Sequence, residues 1–273
     1  LFEISLLGMF RKFKIKINDK SYPIEFEKYK NLSKLDSVKK ELLKKEINSI
    51  LIDGWGRFPE DFIEKHIFQE NRFIIAKSNN EYIGFCAMGF KKLANVNVHY
   101  IEFLVIKKLF QKSGLGSYLF YLILFDDIVR NFFKILSFRP LEIMFITPNI
   151  RTVSRLSKFA SFIYPNPYLA SDDGSINSAD DITWQMAQEL ISQSDNSNRK
   201  LSRNGLILEG SYSDTPWLIY NSENAPWHNN LIINKFTQKY LGYINKEDKE
   251  FIVRAHINSL SLFKYFYHLI IKA

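Results

Sequence analysis

Residues 101–125 read IEFLVIKKLFQKSGLGSYLFYLILF, and the fold turns on how this stretch is parsed. Ile101 to Ile106 is an apolar, β-leaning run apart from Glu102, which predicts a strand. Lys107 and Lys108 lead into Gln111-Lys112-Ser113-Gly114-Leu115-Gly116, and beyond Gly116 the residues Leu119, Leu122, Ile123 and Phe125 recur near helical spacing. Strand, glycine-punctuated turn and helix make a physical device. Glycine lacks a Cβ, so the backbone takes φ > 0 and approaches a ligand closely. The amides of the helix's first turn, with the positive end of its dipole, favour an anion. Lys107, Lys108 and Lys112 add positive charge beside them. The reading is a phosphate cradle. A tight turn whose glycines serve packing alone is the plainer alternative.

On the N-terminal side, Lys14 to Asn18 alternates Lys and Ile at period two, an opening strand, with turn residues at Asn18-Asp19 and a return over Tyr22 to Phe26. Ser33 to Ile52 predicts an amphipathic helix on Leu35, Val38, Leu42, Ile47, Ile50 and Leu51, broken by Gly54 and Gly56. Pro59 opens a short helical stretch over Glu60 to Phe68. Asn71 to Ser78 and Glu81 to Phe90 are strands around an Asn79-Asn80 turn, and Asn95 to Ile106 is the next. On the C-terminal side, Leu141 to Thr147 is a compact buried strand after Pro140, and Asn149 heads a helix expected to run from Ile150 to Phe162.

Past Pro165 the pattern changes. Ser171 to Asp181 is a loop rich in Ser, Asp and Gly, with Ser178 expected to cap a helix carrying Trp184, Met186 and Leu190. Ser192 to Asn198 is polar, Leu206 to Leu208 strand-like, and Asp214 to His228 an aromatic loop with Trp217 and Trp227. Asn229 to Tyr240 predicts a helix, Glu250 to Ile257 a strand, and Ser259 to Lys272 an apolar terminal helix.

Gln111-x-x-Gly114-x-Gly116 lacks the third glycine of a dinucleotide fingerprint, where Leu119 stands, and lacks the Gly-Lys-Ser/Thr ending of a P-loop. It resembles the (Gln/Arg)-x-x-Gly-x-(Gly/Ala) signature of the GNAT N-acetyltransferase superfamily. The element order from about Phe26 to Tyr164 resembles that family's core as well. The resemblance implies a mixed α/β fold, a mostly antiparallel sheet with two splayed central strands, flanked by helices. We expect residues 1–25 to be a leader and strand, 26–164 the acyl-CoA-binding core, and 165–249 an elaboration. Residues 250–273 then supply the final strand and C-terminal helix of the same domain.

The resemblance implies acetyl transfer from acetyl-CoA to an amine, with a small molecule as the expected acceptor. Gln111, Lys112, Ser113, Gly114, Leu115, Gly116 and Ser117 would hold the pyrophosphate, mainly through N–H groups. The pantetheine arm would pair with the backbone of Leu104, Val105 and Ile106, and Asn149 stands where the family's next helix commonly begins with asparagine. A base taking the ammonium proton fits best on the strand before the loop, with Glu102 first and His99 second. Glu102 also reads as a solvent-facing residue paired with a lysine, and His99 as structural. The family's acid, a tyrosine seven residues past the asparagine, is Leu156 here, and the usual Gly-Phe at the helix end is Ala160-Ser161-Phe162. Tyr164 is the substitute candidate, or a packed aromatic. A non-catalytic acyl-CoA-binding domain is the alternative function. Trp55 to Phe58 is the favoured wall for the acceptor.

The composition bounds these readings. The chain has 273 residues, 46% of them hydrophobic, enough for one large domain or two modest ones. A net charge of +8 favours anionic partners such as coenzyme A, and the scattered lysines argue against nucleic acid. The lone Cys86 excludes an internal disulfide, reads as a small buried hydrophobe and fits a reducing compartment, with cytoplasmic as the default. No metal-ligand spacing and no membrane-span length occurs. A membrane-surface role, through the apolar N-terminus and the terminal helix, ranks last. Leu1 to Gly8 has its basic residues after the apolar run, the wrong order for a signal peptide, and Met9 heads an alternative start.

Overall fold

The structure, a computed structural model, describes residues 13–30, 32–59, 61–69, 72–130, 139–194, 199–212 and 215–261. The leader and most of the terminal helix, Ser259 to Lys272, lie outside them, as does the side chain of Trp217. The mixed α/β fold and mostly antiparallel sheet expected from the sequence are what the chain adopts. It divides into two compact units, Leu1–Gly89 with Ile101–Asp127, and Phe90–Tyr100 with Ile128–Ala273.

In the first unit the strand order is β1 (Phe13–Ile17), β2 (Lys20–Lys30), β3 (Arg72–Ser78), β4 (Glu81–Leu93) and β5 (Val96–Ile106). Residues 90–93 of β4 and 96–100 of β5 belong to the second unit. The hairpins close where asparagine and aspartate tolerate left-handed backbone: Asn18 and Asp19 have φ of 47° and 62°, Asn79 and Asn80 φ of 49° and 65°. Helix α1 (Ser37–Gly54) starts four residues later than the hydrophobic pattern suggests. The Asp36 carboxylate accepts the Lys39 amide at 2.9 Å and caps it there, while Leu32–Lys34 forms a 3-10 turn. Leu43, Ile47, Ile50 and Leu51 of α1 pack with Phe73, Ile75, Phe85, Phe103 and Val105 in an apolar core. The stretch expected as a short helix over Glu60 to Phe68 is a π-helical turn, Ile63–Ile67, closed by the Phe68 amide on the Ile63 carbonyl at 3.0 Å. Cys86 is buried, and burial pushes its thiol far above the usual range. Helix α2 (Leu115–Arg130) follows the glycine turn.

In the second unit β10 (Lys249–Ile257) is the hub, antiparallel to β6 (Leu141–Thr147), β7 (Phe162–Tyr164) and β9 (Ile207–Glu209), which pairs β8 (Lys200–Ser202). Its helices are α3 (Ile150–Leu156), α4 (Asp181–Ser192) and α5 (Leu231–Leu241). Two expectations are corrected. The helix expected to reach Phe162 stops at Leu156, because Phe162–Tyr164 pairs with Arg254–His256. The cap of α4 is Asp180, not Ser178: its carboxylate accepts the Thr183 amide at 2.6 Å. Met144, Met186, Leu190, Leu208 and Ile252 lie in this unit's core.

Charges are buried here as well. Arg254 donates through Nε and Nη2 to both Glu142 oxygens at 3.2 Å each, and through Nη1 to Thr183 Oγ1 at 2.8 Å. Its guanidinium stands 5.4 Å from the Phe162 ring, and His256 Nε2 lies 2.9 Å from Glu142 Oε1. Burial alone would lift the Glu142 carboxyl, but His256 and Arg254 outweigh it and hold it below the usual range. Glu250, buried against the Tyr212 hydroxyl, is instead pushed up by burial.

Candidate functional site

The loop is built from the end of β5. Lys107 donates its amide to Ile83 of β4 at 2.9 Å, and Lys108 donates its amide to Asp53 Oδ2 at 2.5 Å. A 3-10 turn, Lys108–Phe110, then buries Phe110 edge-to-face against Tyr22, with ring centroids 5.3 Å apart. The Gln111 side chain folds back, and Nε2 donates to the Ile106 carbonyl at 3.0 Å. Ser113 Oγ donates to the Phe110 carbonyl at 2.6 Å and accepts the Leu115 amide at 3.3 Å. Lys112 and Gly114 take φ of 65° and 91°, and the Tyr118 amide on the Gly114 carbonyl at 3.1 Å begins α2.

Space around the glycines differs. A Cβ on Gly114 would meet nothing within 4 Å, so this face of the turn is open. A Cβ on Gly116 would touch Ile106 and Leu104 at ordinary distances of 3.7 and 3.9 Å. The turn therefore offers an open, positively curved backbone at the head of a sixteen-residue helix, flanked by the exposed Lys108 and Lys112. A shallow, open depression of about 590 Å³ lies on the α1 side, lined by Lys45, Asn48, Ser49, Ile52, Asp53 and Lys108.

The first unit thus brings together Leu104, Val105, Ile106 and Gln111 through Ser117, with Glu102 half-buried on the same face of β5 as Leu104. His99, Asn149 and Tyr164 belong to the second. His99 is buried, with Nδ1 3.1 Å from the Glu142 carbonyl, an oxygen that only accepts, so Nδ1 carries a proton. Asn149 caps α3 by accepting the Arg151 amide at 3.0 Å. The Tyr164 hydroxyl donates to the Asn177 carbonyl at 2.9 Å and accepts the Gly205 amide at 3.0 Å, and burial pushes its pKa up to about 12. Trp55, Phe58, Phe62 and Phe103 form one aromatic group, with centroids 4.4 to 6.3 Å apart. Asp53 was invisible in the sequence pattern, where Gly54 beside it reads only as a helix breaker.

With this geometry in place, comparison with known proteins is informative for one segment. Residues 41–132 match the acetyltransferase (GNAT) family. The matched segment runs from within α1 through β3 to β5, the glycine loop and α2. The family matched over this segment is one of acetyltransferases. Among solved structures the chain is similar to the aminoglycoside N-acetyltransferase AAC(6')-Iy in complex with CoA, at 12% identity over 41% of this chain and 73% of that one, TM-score 0.31. It is similar to a GNAT family acetyltransferase from Streptococcus pneumoniae, at 12% identity over 38% and 67%, TM-score 0.29. It is also similar to a Pyrococcus horikoshii protein, at 18% identity over 57% and 92%, TM-score 0.36. Likenesses this loose bear on neither substrate nor mechanism. No curated protein sequence matches. Among the described residues, no helix is long and apolar enough to cross a membrane, and no group of His, Cys, Asp and Glu is placed to hold a metal ion.

Proposed function

We propose that the chain transfers an acetyl group from acetyl-CoA to the amine of a small-molecule acceptor. One observation carries the reading: the open, left-handed turn at Gly114, set at the head of α2 and flanked by lysines. Backbone amides there suit a pyrophosphate, and the Ser113 hydroxyl, by taking the Leu115 amide, fixes the curvature. Lys108 and Lys112 complement the charge, and the edge of Leu104 to Ile106 supplies backbone groups for the pantetheine amides. In the transfer the amine nitrogen attacks the thioester carbonyl, the C–S bond breaks, and the thiolate leaves. Glu102 takes the ammonium proton, directly or through water. His99, the second candidate in the sequence, belongs to the other unit, where its ring is tied to the Glu142 carbonyl.

The second reading, an acyl-CoA-binding domain without turnover, is favoured by the missing acid. Leu156 stands where the family carries its tyrosine, and the Tyr164 phenol would have to leave two backbone partners before serving. A thiolate is a tolerable leaving group, which keeps transfer first. The test pairs calorimetry of CoA with acetyl-CoA turnover on a panel of amines. Gly114→Asp, placing a carboxylate in the cradle, should remove CoA binding, and unchanged affinity would refute the assignment. Turnover by the wild type that falls most at neutral pH in Glu102→Gln supports transfer. CoA binding without turnover on any amine selects the second reading.

A further inference from the structure

Among the described residues the loop is tied to the rest of its unit by several contacts, and two of them fix consecutive main-chain amides at its start, one through a side chain from a distant element. The Lys107 amide is held by the β4 backbone and its ammonium by Glu81 at 2.7 Å, whereas the Lys108 amide is held by Asp53, 55 residues earlier at the end of α1. The next residue explains how α1 comes so close. A Cβ on Gly54 would stand 2.8 Å from the Ile106 carbonyl oxygen and 2.9 Å from Val105 Cγ1, so only glycine lets the helix end rest on the end of β5. The same Ile106 carbonyl accepts the Gln111 side chain. Helix end, strand end and loop therefore meet within a few bonds of one another, and the Asp53 carboxylate is the part that can be removed without disturbing the backbone.

We propose that Asp53 is a positioning residue for the Gln111–Gly116 loop, acting through the Lys108 amide and brought within reach by Gly54. The proposal rests on the reading of that loop as the coenzyme cradle. Asp53 acts as a hydrogen-bond acceptor, not as a charge. A carboxylate near a polyphosphate site repels its ligand weakly through water, so its presence there opposes binding by charge. What it contributes is a fixed start for the 3-10 turn, which lowers the ordering cost of the loop when a ligand binds. Because the bond lies at the surface, its loss exposes Lys108 to water and changes global stability little.

Three forms of the intact chain decide the matter: wild type, Asp53→Leu and Asp53→Asn. Asp53→Leu should weaken CoA binding and raise the KM for acetyl-CoA about tenfold, the value of one hydrogen bond, with kcat within about twofold. Asp53→Asn keeps an acceptor oxygen and sheds the charge, so it should bind as wild type does or more tightly. Amide exchange across residues 108–116 should quicken in Asp53→Leu and not in Asp53→Asn, with no ligand present. Wild-type exchange and affinity in Asp53→Leu overturn the proposal, and so does equal damage in both variants. If CoA binds none of the three while Gly114→Asp behaves as they do, the cradle reading fails. The exchange comparison then still settles whether Asp53 holds the loop.

Discussion

Among the described residues the first unit buries one polar side chain, Ser78, and no carboxylate or fully buried cation beside its apolar core. The second buries Glu142, Glu250 and Arg254 in its strands. The first unit's ion pairs are partly exposed, and its glycine turn is built from backbone, a serine hydroxyl and glycine. The second fixes its geometry with ions that cannot be moved singly. The contrast teaches where each unit is fragile. An apolar core tolerates losses in proportion to area. A buried ion pair adds little net stability over an apolar pair, yet removing one partner strands the other.

The sharpest way to break the contrast is Arg254→Leu. It leaves the Glu142 carboxylate facing only His256, and should destabilise the chain by about 3–5 kcal/mol in urea unfolding. Adding Glu142→Leu to it should recover most of the loss. A double variant no more stable than the single one would show that the cluster is not a pair of mutually dependent charges.

Next in size is a probe of the first unit. Glycine to alanine inside a helix normally stabilises by up to about 1 kcal/mol. Gly54→Ala should reverse that sign and cost about 1–3 kcal/mol by overpacking against the Ile106 carbonyl. Gly116→Ala, whose Cβ finds only ordinary contacts near the start of α2, should keep the normal sign and stabilise by up to about 1 kcal/mol. Equal effects at the two glycines would mean that the α1 end is not tightly seated.

The smallest expected effect is in acid. The folded pKa of Glu142 lies below its unfolded value near 4.5. Its contribution is therefore complete above that value and is lost as pH falls through the depressed folded pKa, since the unfolded chain binds the extra proton. Stability measured downward from pH 5 should fall less steeply in Glu142→Gln than in wild type. Parallel slopes would place the acid sensitivity elsewhere.

These differences also govern what could be read beforehand. Turns at Asn18-Asp19 and Asn79-Asn80 were legible because the residues themselves favour left-handed backbone, and the loop at Gly114 for the same reason. The end of α3 was not. Phe162 to Tyr164 continues a tolerable helical pattern, and only pairing with Arg254–His256, some ninety residues away, turns it into a strand. Ser178 and Asp180 are both competent caps, and the choice lies in tertiary packing. Charged residues in the apolar strands Leu141–Thr147 and Lys249–Ile257 were the available sign of the buried cluster. Asp53 left no sign, because its partner is a backbone amide far along the chain.

The lone thiol has a practical corollary. With Cys86 sealed inside the first unit and strongly disinclined to ionise, a thiol-reactive dye added to the folded protein has nothing of its own to colour. Under the proposed function, coenzyme freed by the transfer is then titrated continuously in the same cuvette. Any slow background that grows with denaturant then reports unfolding, so one reagent reads both activity and integrity.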